Sequence, residues 1–221
     1  MATAIMKFLR KYFLSALILV LAIAGAWLLL KPDNKKTSSD KSVATSSISQ
    51  PATAQLIIGS PNAPKTIVEY GDFQCPICER FFTMTEPALQ SEYIKPGEAK
   101  IEFRIETHIG AESVTAGEAA YCANDQKMFE AYHNELYKRQ GAENSGVFSR
   151  GNLKQIATQI GLNQKQFDSC LDSGKYNSLV VKSNNDAHTQ AGVSSTPTFF
   201  IGERKIVGAQ PIAIFRAILD E

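Results

Sequence analysis

Cys75 and Cys78 stand in the run Cys75-Pro76-Ile77-Cys78, and that spacing suits dithiol–disulfide chemistry. On a helix, two intervening residues bring the second sulfur one turn inward and within reach of the first. A cysteine at a helix N-terminus also meets unpaired backbone N–H groups and the positive end of the helix dipole. Both favour the thiolate, which is the attacking species in disulfide exchange. Pro76 suits the first helical turn, where a missing N–H costs nothing. Cys75 is therefore the expected nucleophile and Cys78 the resolving thiol. A CxxC can also be half of a zinc site, but such a site needs two more ligands at comparable spacing. Cys122 and Cys170 have no partner two residues away, and His108, His133 and His188 are scattered. No metal is expected, and His108 and His133 read as structural or surface residues.

The elements around the pair are ordered to present it. Residues 66–70, Thr-Ile-Val-Glu-Tyr, are β-branched and aromatic and predict a buried strand. Gly71-Asp72 ends it, and the pattern from Glu79 to Met84 predicts a helix, with a break at Pro87. The order is strand, loop, CxxC, helix. Glu69 lies inside the apolar strand, either as a solvated edge carboxylate or as a buried acid beneath the cysteines.

The N-terminus bears on where this chemistry runs. Residues 12–30 are uncharged and mostly apolar, preceded by Lys7, Arg10 and Lys11 and closed by Lys31. That length matches a bilayer core of about 30 Å. Positive charge before the span predicts a cytoplasmic segment at 1–11, a transmembrane signal anchor at 12–30 and everything after it outside. The small residues Ala22 to Ala26 also resemble a signal-peptide cleavage site, although the apolar run continues past them through Leu30. Residues 31–54 are rich in Ser, Thr, Lys and Asp and predict a flexible tether with a reach of about 25–30 Å. Beyond residue 30 there are 20 basic and 22 acidic residues, a balance that does not support nucleic-acid binding. Four cysteines in an exported chain fit two disulfides.

The segment Gly59-Ser60-Pro61-Asn62-Ala63-Pro64-Lys65-Thr66-Ile67-Val68-Glu69-Tyr70-Gly71-Asp72-Phe73-Gln74-Cys75-Pro76-Ile77-Cys78 resembles the opening of DsbA-like thiol–disulfide oxidoreductases. The resemblance extends over most of 55–221. It implies an α/β, thioredoxin-like fold with an inserted helical domain at about 111–190, here preceded by one transmembrane helix. The family carries a glutamate at the place of Glu69, which implies the buried acid, relaying protons to or from Cys78. It also keeps a cis proline facing the CxxC. Thr196-Pro197, directly before the aromatic run Thr198-Phe199-Phe200-Ile201, matches that place, an ordinary trans proline at a strand start being the alternative. The implied substrate-docking residues are Thr196, Pro197, Pro76 and Ile77, with Thr196 offering backbone groups to an extended client segment.

Helical patterns run over 112–136, 153–160, 167–171 and 176–187, as the inserted domain requires. Cys122 and Cys170 fall within it and match a second disulfide that the family sometimes carries; two free buried thiols are the alternative. Residues 198–201 and 205–207 predict a hairpin through Gly202-Glu203-Arg204, followed by a terminal helix over 211–219.

The resemblance implies an enzyme that introduces disulfides into exported, cysteine-containing proteins, without a cofactor. It would act as a membrane-anchored monomer, reoxidised by a membrane partner of the DsbB or vitamin K epoxide reductase type. Ile77 departs from the histidine of the strongest oxidants, so a less acidic nucleophile and a milder oxidant are expected. A reductase or isomerase using the same site is the rival, and a non-enzymatic binding module a more distant one.

Overall fold

The computed structural model describes residues 55–221. The expected segments 1–11, 12–30 and 31–54 lie outside the described residues. Among the described residues no helix is long and apolar enough to cross a membrane.

A five-stranded sheet forms the centre, in the order β1-β3-β2-β4-β5. The strands are β1 (Leu56–Ile58), β2 (Lys65–Gly71), β3 (Ala99–Ile105), β4 (Thr198–Ile201) and β5 (Arg204–Val207). Only β2 and β3 are parallel; β1 on β3, β4 on β2 and β5 on β4 are antiparallel. Between β2 and β3 lie α1 (Pro76–Met84), the short α2 (Glu86–Leu89) and a π-helical turn at Gln90–Ile94. The break foreseen at Pro87 falls at Thr85, and Pro87 sits in the first turn of α2, where it removes no helical bond. The chain ends in α8 (Ile212–Leu219).

Five helices separate β3 from β4: α3 (Ala111–Asn124), α4 (Phe129–Lys138), α5 (Arg150–Gln159), α6 (Gln164–Asp172) and α7 (Asn177–Thr189). The continuous helix expected at 112–136 is two helices. The chain turns at 125–128 with Lys127 left-handed at φ 59°, and Lys127 N–H donates to the Asn124 carbonyl at 2.9 Å. Alanine, Gly117 and Cys122 let α3 be buried around most of its circumference, so it reads poorly as an amphipathic helix.

Sequence reasoning assigned no strand to 99–105, yet β3 is the sheet's central partner for β2. Its alternation explains this. Ile101, Phe103 and Ile105 enter the main core, whereas Glu102 and Arg104 pair at 2.8 Å on the opposite face beside Tyr70. Register then fixes the fate of Glu69. It lies between Phe103 and Phe199 on the core face, against which Cys78 and Phe81 are buried.

Candidate active site

The C-terminal end of β2 is shaped by a close approach. A Cβ on Gly71 would meet the Phe103 ring at 2.7 Å and the Tyr137 hydroxyl at 3.2 Å, so only glycine fits. Asp72 then turns the chain: its carboxyl accepts from Gln74 N–H at 2.8 Å and its carbonyl from Cys75 N–H at 3.0 Å. Burial pushes the Asp72 carboxyl up to about 6, opposed by its hydrogen bonds with Gln74, Ser113 and Ile109. The inserted domain clamps this loop from outside. Gln140 donates to the carbonyls of Phe73 at 2.6 Å and Cys75 at 3.2 Å, and Gln74 bonds Ser113 and Asn144.

Cys75 is the N-cap residue of α1 and Pro76 its first helical residue. Both cysteines are free thiols in this structure. Cys78 is fully buried, Cys75 retains 7% exposure, and Pro76 and Ile77 are exposed beside it. The Cys75 thiol is held down at about 5, first by hydrogen bonding from the Cys78 thiol, against the opposing effect of burial. The Thr196 side chain and the backbone N–H groups of Cys78 and Ile77 add to the lowering, although none of these N–H groups is capped by a formal side-chain hydrogen bond. Cys78 moves the other way: burial pushes its thiol up, reinforced by its hydrogen bond to Cys75 and by the charges of Cys75 and Glu69. The pair is therefore polarised into one acidic and one protonated sulfur.

Thr196 faces Cys75 from the far end of the chain. Its carbonyl lies 3.5 Å from Cys75 Sγ, and the Thr196–Pro197 bond is cis. A carbonyl can engage only the protonated thiol. The Thr196 hydroxyl, buried and without a hydrogen-bond partner in the structure, adds to the groups that favour the thiolate.

Beneath the pair lie two buried acids. Burial pushes the Glu69 carboxyl up, and the charge of Glu86 adds to it. Burial likewise raises Glu86 to about 7; a hydrogen bond from Gln90 opposes this and Glu130 reinforces it. One oxygen of each carboxyl has no hydrogen-bond partner in the structure. A neutral Glu69 carboxyl here can release a proton close to Cys78, and its carboxylate can take one back.

The remaining expected residues fall elsewhere. Cys122 and Cys170 are joined by a disulfide that ties α3 to α6, away from the reactive pair. His133 is fully buried against Phe73, Phe82, Phe103, Phe129 and Tyr137, and burial holds it down at about 4. Asp72, Gln140, Glu86 and His108 are functional candidates that sequence reasoning missed. Gln140 meets its partners 65 and 67 residues along the chain, whereas Asp72, Glu86 and His108 have partners at Gln74, Gln90 and Glu106 but fall in no motif beyond the one Asp72 adjoins. Among the described residues no group of three or more His, Cys, Asp or Glu side chains could hold a metal.

The family model described as thioredoxin matches residues 52–221. The chain belongs to the thioredoxin family. Disulfide bond formation protein D of Bacillus subtilis is 26% identical over 155 residues, covering 69% of each chain. The probable disulfide bond formation protein D of Bacillus anthracis is 29% identical over 154 residues, covering 67% of this chain and 70% of that one. The crystal structure of oxidised BdbD from Bacillus subtilis superposes with a TM-score of 0.69 at 24% identity, over 76% of this chain and 91% of that one. The fold of the chain is the thioredoxin-like sheet with a helical insertion.

Proposed function

We propose that this chain is a DsbA-like thiol–disulfide oxidoreductase that donates disulfides to exported proteins from a membrane-tethered position outside the cytoplasm. The observation that carries the reading is the polarisation of the pair, with Cys75 at about 5 and Cys78 raised. A stable Cys75 thiolate stabilises the reduced enzyme and so makes its disulfide a stronger oxidant. A client thiolate attacks Cys75 Sγ, the Cys75–Cys78 bond breaks, and Cys78 leaves and takes a proton through Glu69. A second client thiolate then attacks the client sulfur of the mixed disulfide and expels Cys75 as a thiolate. The client loses two electrons and two protons. The enzyme keeps both electrons and one proton, and the other proton enters solvent.

Thr196, Pro197, Pro76 and Ile77 form the docking surface in this reading, with backbone groups of Thr196 available to an extended client. The uncharged stretch 12–30 serves as the anchor and 31–54 as the tether of a monomer. A membrane partner of the DsbB or vitamin K epoxide reductase type removes the two electrons. Ile77 supports a milder oxidant than the strongest members: a thiol at about 5 lies between thioredoxin at about 7 and DsbA at about 3.5.

Equilibrating the full chain in detergent with glutathione buffers tests the reading. The expected reduction potential lies between about −270 mV for thioredoxin and about −120 mV for DsbA. A value at or below the thioredoxin figure favours the reductase alternative. The only tryptophan, Trp27, falls in the stretch proposed as the anchor, so thiol alkylation with mass detection is the readout.

A further inference from the structure

Beyond β3 the chain passes through Glu106, Thr107 and His108 directly beside the active-site loop. Glu106 N–H donates to the Gly71 carbonyl at 2.9 Å, and Ile109 N–H lies 3.4 Å from the Asp72 carboxyl. Asp72 in turn receives Cys75 N–H, so the His108 segment and the nucleophile are braced on the same residue. Asn144 adds a bond to the Ile109 carbonyl at 3.2 Å, and Asn184 of α7 accepts from Thr107 N–H at 2.9 Å.

The Glu106 carboxyl is 1% exposed and lies between two imidazoles. His108 Nδ1 is 2.6 Å from one oxygen and His188 Nε2 is 2.7 Å from the other. His188 Nδ1 is 2.8 Å from the Val193 carbonyl, so that nitrogen must carry a proton. A buried carboxyl with one imidazole hydrogen-bonded to one oxygen and a second at ion-pair distance from the other, which has no hydrogen-bond partner, is a costly arrangement to keep for packing alone. It fixes the His108 ring by one nitrogen and leaves the ring about half exposed, with Nε2 outside the bond to Glu106. Burial alone lowers the basicity of His108. The hydrogen bond and charge of Glu106 outweigh it, with Asp72 and Cys75 adding, so its affinity for a proton is raised. The charges facing His108 are thus Glu106 at the end of β3 and Asp72 and Cys75 in the loop, with His188 of α7 behind Glu106.

We propose that His108 is a positioning residue of the redox site: a cation, held by Glu106 and His188, that stabilises the Cys75 thiolate from the neighbouring loop while the CxxC itself offers only Ile77. The inference rests on reading Cys75 as the nucleophile, but not on the direction of electron flow. Loss of the cation destabilises the thiolate, hence the reduced form, and makes the disulfide less oxidising.

The test uses the full chain with His108→Ala, His108→Gln, His108→Lys and Glu106→Gln. The pH dependence of Cys75 alkylation and the equilibrium with glutathione are measured for each, and thermal unfolding verifies the fold. His108→Ala and His108→Gln are expected to cut alkylation at pH 5 about twofold and to shift the glutathione equilibrium at pH 7 about threefold toward oxidised enzyme, as removal of one part-exposed charge implies. His108→Lys retains most of the parental behaviour, and Glu106→Gln loses part of it. Because the effect needs the imidazolium, parent and His108→Ala should converge in the glutathione equilibrium as pH rises past the histidine range. An equal deficit at pH 6 and pH 9, or one that lysine does not relieve, assigns His108 a packing role and overturns the proposal. So do unchanged values in a folded His108→Gln protein. A thioredoxin-like potential in the parent that falls further in His108→Ala sinks the donor reading and sustains this one.

Discussion

The molecule holds two cysteine pairs whose outer members, Cys75 and Cys170, are equally exposed at 7%, while Cys78 and Cys122 are almost fully buried. Access therefore does not separate a reactive sulfur from an inert one here. The sulfur's partners and its place on a helix do, the Cys78 thiol acting first on Cys75. Cys75 caps the N-terminus of α1, where N–H groups and the positive dipole end favour a thiolate. Cys170 lies in the last turn of α6, at the negative end, with its sulfur 3.8 Å from the Asp125 carboxyl. The same atom is activated at one end of a helix and discouraged at the other. Chain separation adds to the contrast: the first pair shares a single turn, whereas the second closes a span of 48 residues.

The largest test of this contrast is deletion. Cys75→Ser should abolish exchange with a dithiol client, and Cys78→Ser should accumulate a mixed disulfide at Cys75, both read by intact mass. Cys122→Ala with Cys170→Ala should instead leave exchange rates within about twofold, as expected for a change remote from the site. Its cost falls on stability, about 3–4 kcal/mol by the chain-entropy account of a loop this long, read by thermal unfolding. Equal damage to exchange from both sets would erase the distinction between the pairs.

Titration gives the next effect. Alkylation of Cys75 should rise through about pH 5 and then level, while Cys78 stays unlabelled through neutral pH. The sign for stability follows. The folded reduced protein holds a thiolate whose ordinary value is 9.0, so its advantage is complete above that value and is lost as pH falls through about 5. Unfolding of the reduced and oxidised forms between pH 4 and pH 9 should show the reduced form gaining on the oxidised one as pH rises. The smallest change is Glu69→Gln, which removes the proposed proton carrier but keeps the shape. Exchange should slow by at least about tenfold, with an altered pH dependence, since a positioned acid–base group is worth more than that in general. Rates unchanged across pH 6 to 8 would reduce Glu69 to a packing residue.

What the sequence made legible was local. Strand, loop, CxxC and helix follow one another within 66–84, and the spacing of Cys75 and Cys78 carries its own chemistry. Family resemblance extended this to the fold class and the disulfide-exchange activity. The alternating charges of β3 hid a central strand because its second face buries the ion pair of Glu102 and Arg104 beside Tyr70 in place of apolar side chains. The uniform burial of α3 concealed the break at 125–128, since small residues give no face to track. Gln140, 65 residues from Cys75, and His188, 82 from Glu106, reach the site only through the folded topology. No periodicity or spacing rule spans such distances, so the outer supports of the site became visible only in three dimensions.

The contact between Cys75 and Thr196 spans 121 residues, which gives the order of synthesis a chemical meaning. A chain emerging N-terminus first presents its CxxC long before the segment that completes the site exists. Until then the nascent nucleophile lacks the Thr196 hydroxyl, the Gln140 clamp and the walls that exclude water. Cys122 and Cys170 emerge during that interval, when the neighbouring reactive pair is still unfinished. The Thr196 contact is made only when the last strands dock.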